Sequence, residues 1–299
     1  MKAITVRIDD SGLDALLKRV RVAQEAGFDK FDLCVSNPQA SFGRIVASLS
    51  SHKVGLAGLR LKEHRHDALI FRKPGYAKLC APEAPLAQRS AEMVVETANQ
   101  LAPLKAEHIV LDGGYVAVPG LPEKQAILDE VLDCDEDDDT CKIVRRDHVA
   151  IDEKLAEQQL DALCRGLHKV CKEIPAVTVC VLNADSPFGL LQPHRLEHVL
   201  SDLPQVGYWH STSSAALLHR QGGPKETEWL ERFGKRLKGV YLADMLGGHG
   251  EQPPGLGQVK FEDLAPELAK GTVRVMVVDD DKGTKLRFGS EYLAKVGIF

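Results

Sequence analysis

The sequence predicts an α/β fold, a single (β/α)8 barrel, and three observations predict it. Short apolar, β-branched runs alternate with amphipathic helical patterns from end to end, which is how a parallel sheet with crossover helices reads. Eight such runs occur: Ala3 to Ile8, Phe31 to Val35, Val54 to Leu61, His108 to Leu111, Val177 to Leu182, Val206 to His210, Gly239 to Leu242 and Val273 to Val278. Eight is the number of strands that closes a parallel barrel. The length of 299 residues lies somewhat above the usual size for one such barrel, and no linker or internal repeat splits it, so residues 1–299 read as one domain.

The intervening segments carry helical spacing. Ser11 and Asp14 make a capping-box pattern ahead of Leu13, Leu16, Leu17, Val20 and Ala23. Pro85 to Ala102 places Leu86, Ala91, Val94, Val95, Ala98 and Leu101 on one stripe, and Leu155 to Val170 does the same with Leu160, Leu163 and Leu167. Shorter helices are expected at Arg195 to Leu203, Lys225 to Leu237, Phe261 to Ala269 and Ser290 to Val296.

Two long excursions follow strands 3 and 4, on the end of a barrel where loops build binding surface. The first, Lys62 to Pro85, carries Glu63, His64, Arg65, His66 and Asp67; metal ligation is one role for this cluster, and a solvated charged loop is the expected one. The second, Gly113 to Thr140, holds the acidic run from Asp133 to Asp139, flanked by Cys134 and Cys141 and followed by Lys142, Arg145 and Arg146. That run lacks the turn glycine and terminal glutamate of a calcium loop, so mutual repulsion is expected to keep it hydrated.

Composition excludes several function classes. The chain has 38 Lys and Arg against 43 Asp and Glu, a net charge of -5, with no basic surplus for nucleic acid or an anionic membrane. Its longest apolar runs, such as Val179 to Leu182, fall far short of the roughly 20 residues a membrane span needs. The seven cysteines are scattered through apolar segments and the sequence opens directly into strand-like Ile4 to Ile8, which together predict a reducing cytoplasm.

The C-terminal ends of barrel strands converge on one mouth, and chemistry is expected there. Asp112 follows strand 4, Asn183 strand 5, and His210 to Ser214 strand 6; Tyr241 and Asp244 lie around strand 7 and Asp279 to Asp281 after strand 8. His210 alternates in facing with Ser211, so a hydrogen-bonded core role among the surrounding helices is favoured over acid-base work. Asp244 fits a loop cap and Asp112 with Gly113-Gly114 a turn, beside their catalytic readings. Ser211 to Ser214 suits hydrogen bonding to a sugar or phosphate in the mouth. The glycine-rich turn from Gly247 to Gly257 is read first as a rigid turn, since its prolines offer no N–H to a phosphate.

Arg89 to Leu111, Pro187 to His210, and Lys238 to Asp244 with Gly247, His249, Pro253, Pro254, Gly255, Gly257 and Phe261 together resemble the xylose isomerase-like superfamily of sugar phosphate isomerases and epimerases over roughly residues 86 to 281. The resemblance implies a divalent metal held by glutamate, aspartate, histidine and glutamate after strands 5 to 8. Here Asn183, Ser211 and Tyr241 stand at the first three of those places, Ser214 where a substrate-facing histidine belongs, and Val278 or Asp279 at the last. A hard divalent ion needs anionic oxygens or imidazole nitrogens to offset dehydration, so no metal and no cofactor is expected.

The expected function is therefore a pseudoenzyme or metal-free protein that binds a small polar ligand, a sugar or sugar phosphate. Asn183, Ser211, Ser214, Tyr241 and Asp279 would line the site, and His210, Asp112 and Asp244 are the catalytic candidates. One alternative is an active sugar isomerase or epimerase with non-standard ligands or acid-base residues. Another is a protein-interaction scaffold, with a protein partner or a second copy of the chain as the partner.

Overall fold

The computed structural model describes residues 2–8, 12–36, 42–52, 54–63, 65–131, 151–278, 280 and 282–299. Eight parallel strands close a barrel: β1 (Lys2–Ile8), β2 (Lys30–Val35), β3 (Gly55–Leu61), β4 (His108–Leu111), β5 (Thr178–Leu182), β6 (Gly207–Ser211), β7 (Leu237–Leu242) and, after a hairpin, β10 (Val273–Met276). They run in chain order around the sheet, and β10 closes against β1 through Lys2↔Arg274, Ala3↔Val275 and Ile4↔Met276. Each expected strand matches an observed one within two residues at either end.

Helices cover the outside: α1 (Gly12–Glu25), α2 (Phe42–Ser51), α3 (Arg65–Ala68), α4 (Ala84–Leu101), α5 (Leu121–Val131), α6 (Glu153–Glu173), α7 (Pro193–Asp202), α8 (Thr212–Arg220), α9 (Glu226–Phe233), α10 (Phe261–Leu264) and α11 (Thr284–Lys295). α2, α3, α5 and α8 are absent from the sequence reading. α8 begins inside the hydroxyl-rich Ser211 to Ser214 run, where competition from side-chain hydrogen bonds lowers intrinsic propensity and tertiary burial of Ala215, Leu217 and Leu218 prevails. α11 starts at Thr284, six residues before the expectation, because Gly289 in its middle is a packing position. A Cβ there would come within 3.1 Å of Met276 Sδ and Pro254 Cδ.

Two-residue alternation sorts each strand into an outward and an inward set. Ile4, Val6, Phe31, Leu33, Leu59 and Leu61 join the large core beneath the helices. Ala3, Val110, Cys180, Leu182, Trp209, Tyr241 and Val275 form a second cluster inside the barrel. Thr5, Arg7, Asp32 and Arg60 occupy the inward parity, and this makes the interior polar toward its mouth: Thr5 Oγ1 donates to Asp32 Oδ2 at 3.2 Å and the Tyr241 hydroxyl to Asp32 Oδ1 at 3.3 Å.

The excursion after β3 is not the solvated loop expected from its charges. Glu63 and Lys78 are 5 % and 0 % exposed and pair at 3.6 Å. Glu63 Oε2 also accepts from Ala77 N at 3.0 Å, and Lys78 Nζ donates to the Asp67 carbonyl at 2.8 Å and to that of Ala68. A buried carboxylate and ammonium satisfy one another and the local backbone, so the loop folds inward. The capping residue Ser11, His64, and the acidic run Asp133 to Asp139 with Cys134 and Cys141 lie outside the described residues. Among the described residues no helix is long and apolar enough to cross a membrane.

Gly239 lets the indole of Trp209 lie flat across β7, since a Cβ there would stand 2.4 Å from the ring. Gly239→Val is expected to destabilise the protein by about 1–3 kcal/mol through overpacking, read as a lower urea midpoint with an unchanged m-value.

Candidate functional site

At the C-terminal end of the barrel lies a cavity of about 220 Å³ lined by Arg60, Lys62, Glu63, Asp112, Asn183, Asp185, Ser213, Ser214, Gly250 and Glu251, together with Tyr115, Leu182, Leu191, Leu217 and several alanines and glycines. The volume is below the roughly 300–1,000 Å³ typical of pockets for drug-sized ligands, and the lining is unusually polar, which suits a small hydrophilic molecule.

One wall is a charge cluster. The hairpin β8 (Asp244–Leu246) and β9 (His249–Gln252) folds over the mouth after β7 and carries Glu251 into it. Arg60 Nη1 and Lys62 Nζ donate to Glu251 Oε1 at 3.1 and 2.7 Å, and Arg7 Nη2 donates to Oε2. Burial alone would raise the Glu251 carboxyl; Lys62, Arg60 and Arg7 outweigh it and hold the group well below the usual carboxylate range. Burial likewise opposes the charge on Arg60, but Glu251 and Asp112 keep the guanidinium firmly protonated. Arg60 also lies over the Tyr241 ring, 4.6 Å from its centroid. Beneath it, burial pushes Asp32 up to about 6, against the lowering effects of Arg60, Thr5 and Tyr241.

The residues singled out from sequence divide sharply. Asp112, Asn183 and Ser214 line the cavity. Burial raises the Asp112 carboxyl, while Arg60 and Lys62 act in the opposite direction. Asn183 bridges the ends of β5 and β6, accepting from Ser211 N at 2.7 Å and donating to Ser211 O at 3.2 Å, so its amide extends the strand ladder. Ser211 is the N-cap of α8, accepting from Ser214 N at 3.4 Å and from the Ser214 hydroxyl at 2.9 Å. The serine run is thus spent largely on starting a helix, and Ser213 and Ser214 are what it presents to the cavity. Tyr241 sits deeper inside the barrel, 1 % exposed, and burial raises its hydroxyl well above the ordinary tyrosine range. Asp279 lies outside the described residues.

His210 and Asp244 do not line the cavity. His210 shares the outward parity of Tyr208, its Nδ1 hydrogen-bonds the Tyr208 hydroxyl at 2.7 Å, and burial depresses it to about 3. Asp244, fully buried, accepts from Met245 N and Val259 N on Oδ1 at 2.8 and 2.9 Å, and from Gly255 N and Gly257 N on Oδ2, both at 2.9 Å. The N–H groups of the Pro-Gly turn therefore face a carboxylate of the chain itself.

Arg7, Arg60, Lys62, Asp32 and Glu251 were missed in the sequence reading. A signal existed for the first four: Arg7 in Ile4 to Ile8, Asp32 in Phe31 to Val35, and Arg60 and Lys62 in Leu59 to Lys62 alternate with large apolar residues and must face the interior when helices cover the other side. Nothing in the sequence marks Glu251, whose partners lie 189 to 244 positions away.

No protein-family model matches the chain, and no curated protein sequence does. Solved structures do. A D-tagatose 3-epimerase-like protein aligns with a TM-score of 0.66 at 13 % identity over 99 % of this chain and 97 % of that one. The 3-keto-D-glucoside 4-epimerase of E. coli aligns at 0.64 and 12 %, covering 99 % of each chain. The chain has the closed parallel (β/α)8 barrel fold of these structures. Endonuclease IV from Thermus thermophilus also aligns, at 0.57 and 14 % identity over 98 % of this chain and 99 % of that one, so this fold hosts more than one chemistry.

Among the described residues of this barrel, no group of three or more His, Cys, Asp and Glu side chains is arranged to hold a metal ion. At the places where the resemblance puts metal ligands, the Asn183 oxygen already accepts a backbone N–H, the Ser211 hydroxyl serves α8, and the Tyr241 hydroxyl donates to Asp32.

Two measurements check these assignments. Asp244→Ala strands four backbone donors and should cost at least about 3 kcal/mol in urea unfolding, with Asp244→Asn intermediate. For His210, a folded value near 3 lies below the unfolded value of 6.5, so the unfolded chain takes up the proton first and stability is lost as pH falls below 6.5, by about 1.4 kcal/mol per unit. Asp32, at about 6 folded against 3.8 unfolded, works in reverse and gains stability as pH falls from 6 toward 4. Between pH 7.5 and 5.5, His210→Gln should therefore lose roughly 1.4 kcal/mol less than wild type, measured by urea unfolding at both pH values.

Proposed function

We propose that this protein binds a small polyhydroxylated molecule, a sugar or sugar phosphate, in the barrel mouth without a divalent metal. The observation that carries the reading is the lining of the cavity: Asp112 and Asp185 offer carboxylate oxygens, Lys62 and Arg60 offer charged donors, and Asn183, Ser213 and Ser214 add neutral polar groups. Alternating acceptors and donors around a small concave site match the hydroxyls of a sugar, each of which both donates and accepts.

Donor chemistry supports the metal-free part. A neutral amide, a helix-capping hydroxyl and a tyrosine whose ionisation burial opposes do not fit a hard divalent ion. The adjoining cations Arg7, Arg60 and Lys62 add repulsion at short range. The protein is on this reading a binding protein of pseudoenzyme type.

A second reading, a working isomerase or epimerase, has one observation in its favour: Asp112 is a cavity carboxyl with raised proton affinity beside a cation pair, a setting for proton transfer at a sugar carbon. Calorimetric titration with ketoses and their phosphates, in chelator and again in excess manganese, tests the first reading. Equal affinity in both and about a tenfold loss in Asp112→Asn are expected. Binding that appears only with metal, or no binding by any member of the panel, would sink it. Uptake of solvent deuterium at a sugar carbon, lost in Asp112→Asn, would establish the second.

A further inference from the structure

Three cations at the barrel mouth converge on a single carboxylate, and the two sides of that contact differ in rigidity. Arg7 and Arg60 project from barrel strands β1 and β3, and Lys62 follows β3 directly, its N–H still donating to the Val35 carbonyl of β2 at 3.0 Å. Their counter-ion, Glu251, comes from a two-stranded hairpin with irregular register between Asp244 and Leu246. A two-stranded hairpin is marginal in isolation. Leu246 near its tip is 54 % exposed, and Gly247 beside it has φ of 57°. Glu251 itself has φ of 59°, in the left-handed region that a side chain with a Cβ disfavours. A fixed cationic wall is thus answered by a residue in the left-handed region, carried on the far strand of a two-stranded hairpin outside the barrel sheet.

The contact is also unevenly filled. Glu251 has two oxygens for three cations, and Arg60 and Lys62 share Oε1. Arg60, 5 % exposed, keeps a buried Nε with no hydrogen-bond partner. A phosphate monoester carries close to two negative charges at neutral pH and three acceptor oxygens, one for each cation, and arginine forks favour that geometry.

We infer that Arg7, Arg60 and Lys62 form a binding site for the phosphate group of a sugar phosphate, and that Glu251 is a tethered occupant which the ligand displaces. The inference rests on the sugar-binding reading above and deepens it by naming the substituent. Arg60, Lys62 and Glu251 line the cavity, so a phosphate among the cations leaves the rest of the ligand facing Asp112, Asn183 and Ser214. Glu251 is held ionised by its three partners and competes with the ligand at high effective concentration, which lowers apparent affinity until the hairpin moves.

The test is calorimetric titration of the full-length protein at low ionic strength. Inorganic phosphate is titrated into wild type, Glu251→Gln and Glu251→Gln/Lys62→Met; D-fructose and D-fructose 6-phosphate are titrated into wild type. Glu251→Gln should bind phosphate at least tenfold tighter than wild type, Lys62→Met should reverse the gain, and wild type should prefer the phosphorylated sugar at least tenfold. Equal phosphate affinity in wild type and Glu251→Gln, or a gain that survives Lys62→Met, overturns the site. Equal affinity for the two sugars overturns the site and leaves the sugar-binding reading standing. Phosphate bound tightly by Glu251→Gln with neither sugar bound by wild type upholds the site and removes the sugar-binding reading. If Glu251→Gln fails to fold by circular dichroism, the sugar pair on wild type decides.

Discussion

The contact between the Glu251 carboxylate and Arg7, Arg60 and Lys62 is the constraint around which the mouth of this barrel is arranged. Inward-facing side chains of a closed sheet share one enclosed volume, so charge placed there must be answered there. Two basic residues on β1 and β3, with Lys62 just beyond, need an anion, and the hairpin between β7 and β10 supplies it. Removing one partner of such a pair leaves a buried charge uncompensated, which ordinarily costs more than the pair contributes. The contact joins the hairpin to the barrel wall at the cavity, where Arg60 also lies over the Tyr241 ring.

A second polar layer lies below. Asp32, Thr5 and Tyr241 are hydrogen-bonded to one another, with Arg60 close enough to oppose the rise in Asp32 proton affinity. The Trp209 and Tyr241 rings meet at 5.3 Å, tilted by 45°, beside this layer, and Gly239 leaves room for the indole. The interior thus passes from an apolar floor through a hydrogen-bonded middle to an ionic mouth. A ligand entering from above meets charge first, which favours capture of a polar or anionic molecule over an apolar one.

Two aspartates, Asp244 buried and Asp112 half-buried, illustrate how one side-chain type serves different ends. Asp244 is saturated by four backbone N–H groups and fastens the Pro-Gly turn. Asp112 faces the cavity with its charge partly opposed by burial, so it retains capacity for a ligand. Their places beyond the fourth and seventh strands made both candidate acid-base groups in the sequence, and only their partners separate them.

The barrel itself was legible in the sequence because its strands are short apolar runs at regular intervals, and helical crossovers make period and spacing strong local signals. Local pattern also predicted that His210 would face the helices, since alternation within β6 is a property of five consecutive residues. The helix beginning at Thr212 escaped detection because its first turn is built of hydroxyl residues whose role as a cap depends on Ser211 and Ser214 meeting in space. Glu63 and Lys78, and Glu251 with its three cations, were beyond reach for the same reason: the residues are charged, so each by itself reads as solvated surface. Sequence alone determined the eight barrel strands and their closure, which depend on period and burial. Only the tertiary structure decided which charges are buried against one another, because Coulomb energy depends on distances between residues far apart in the chain.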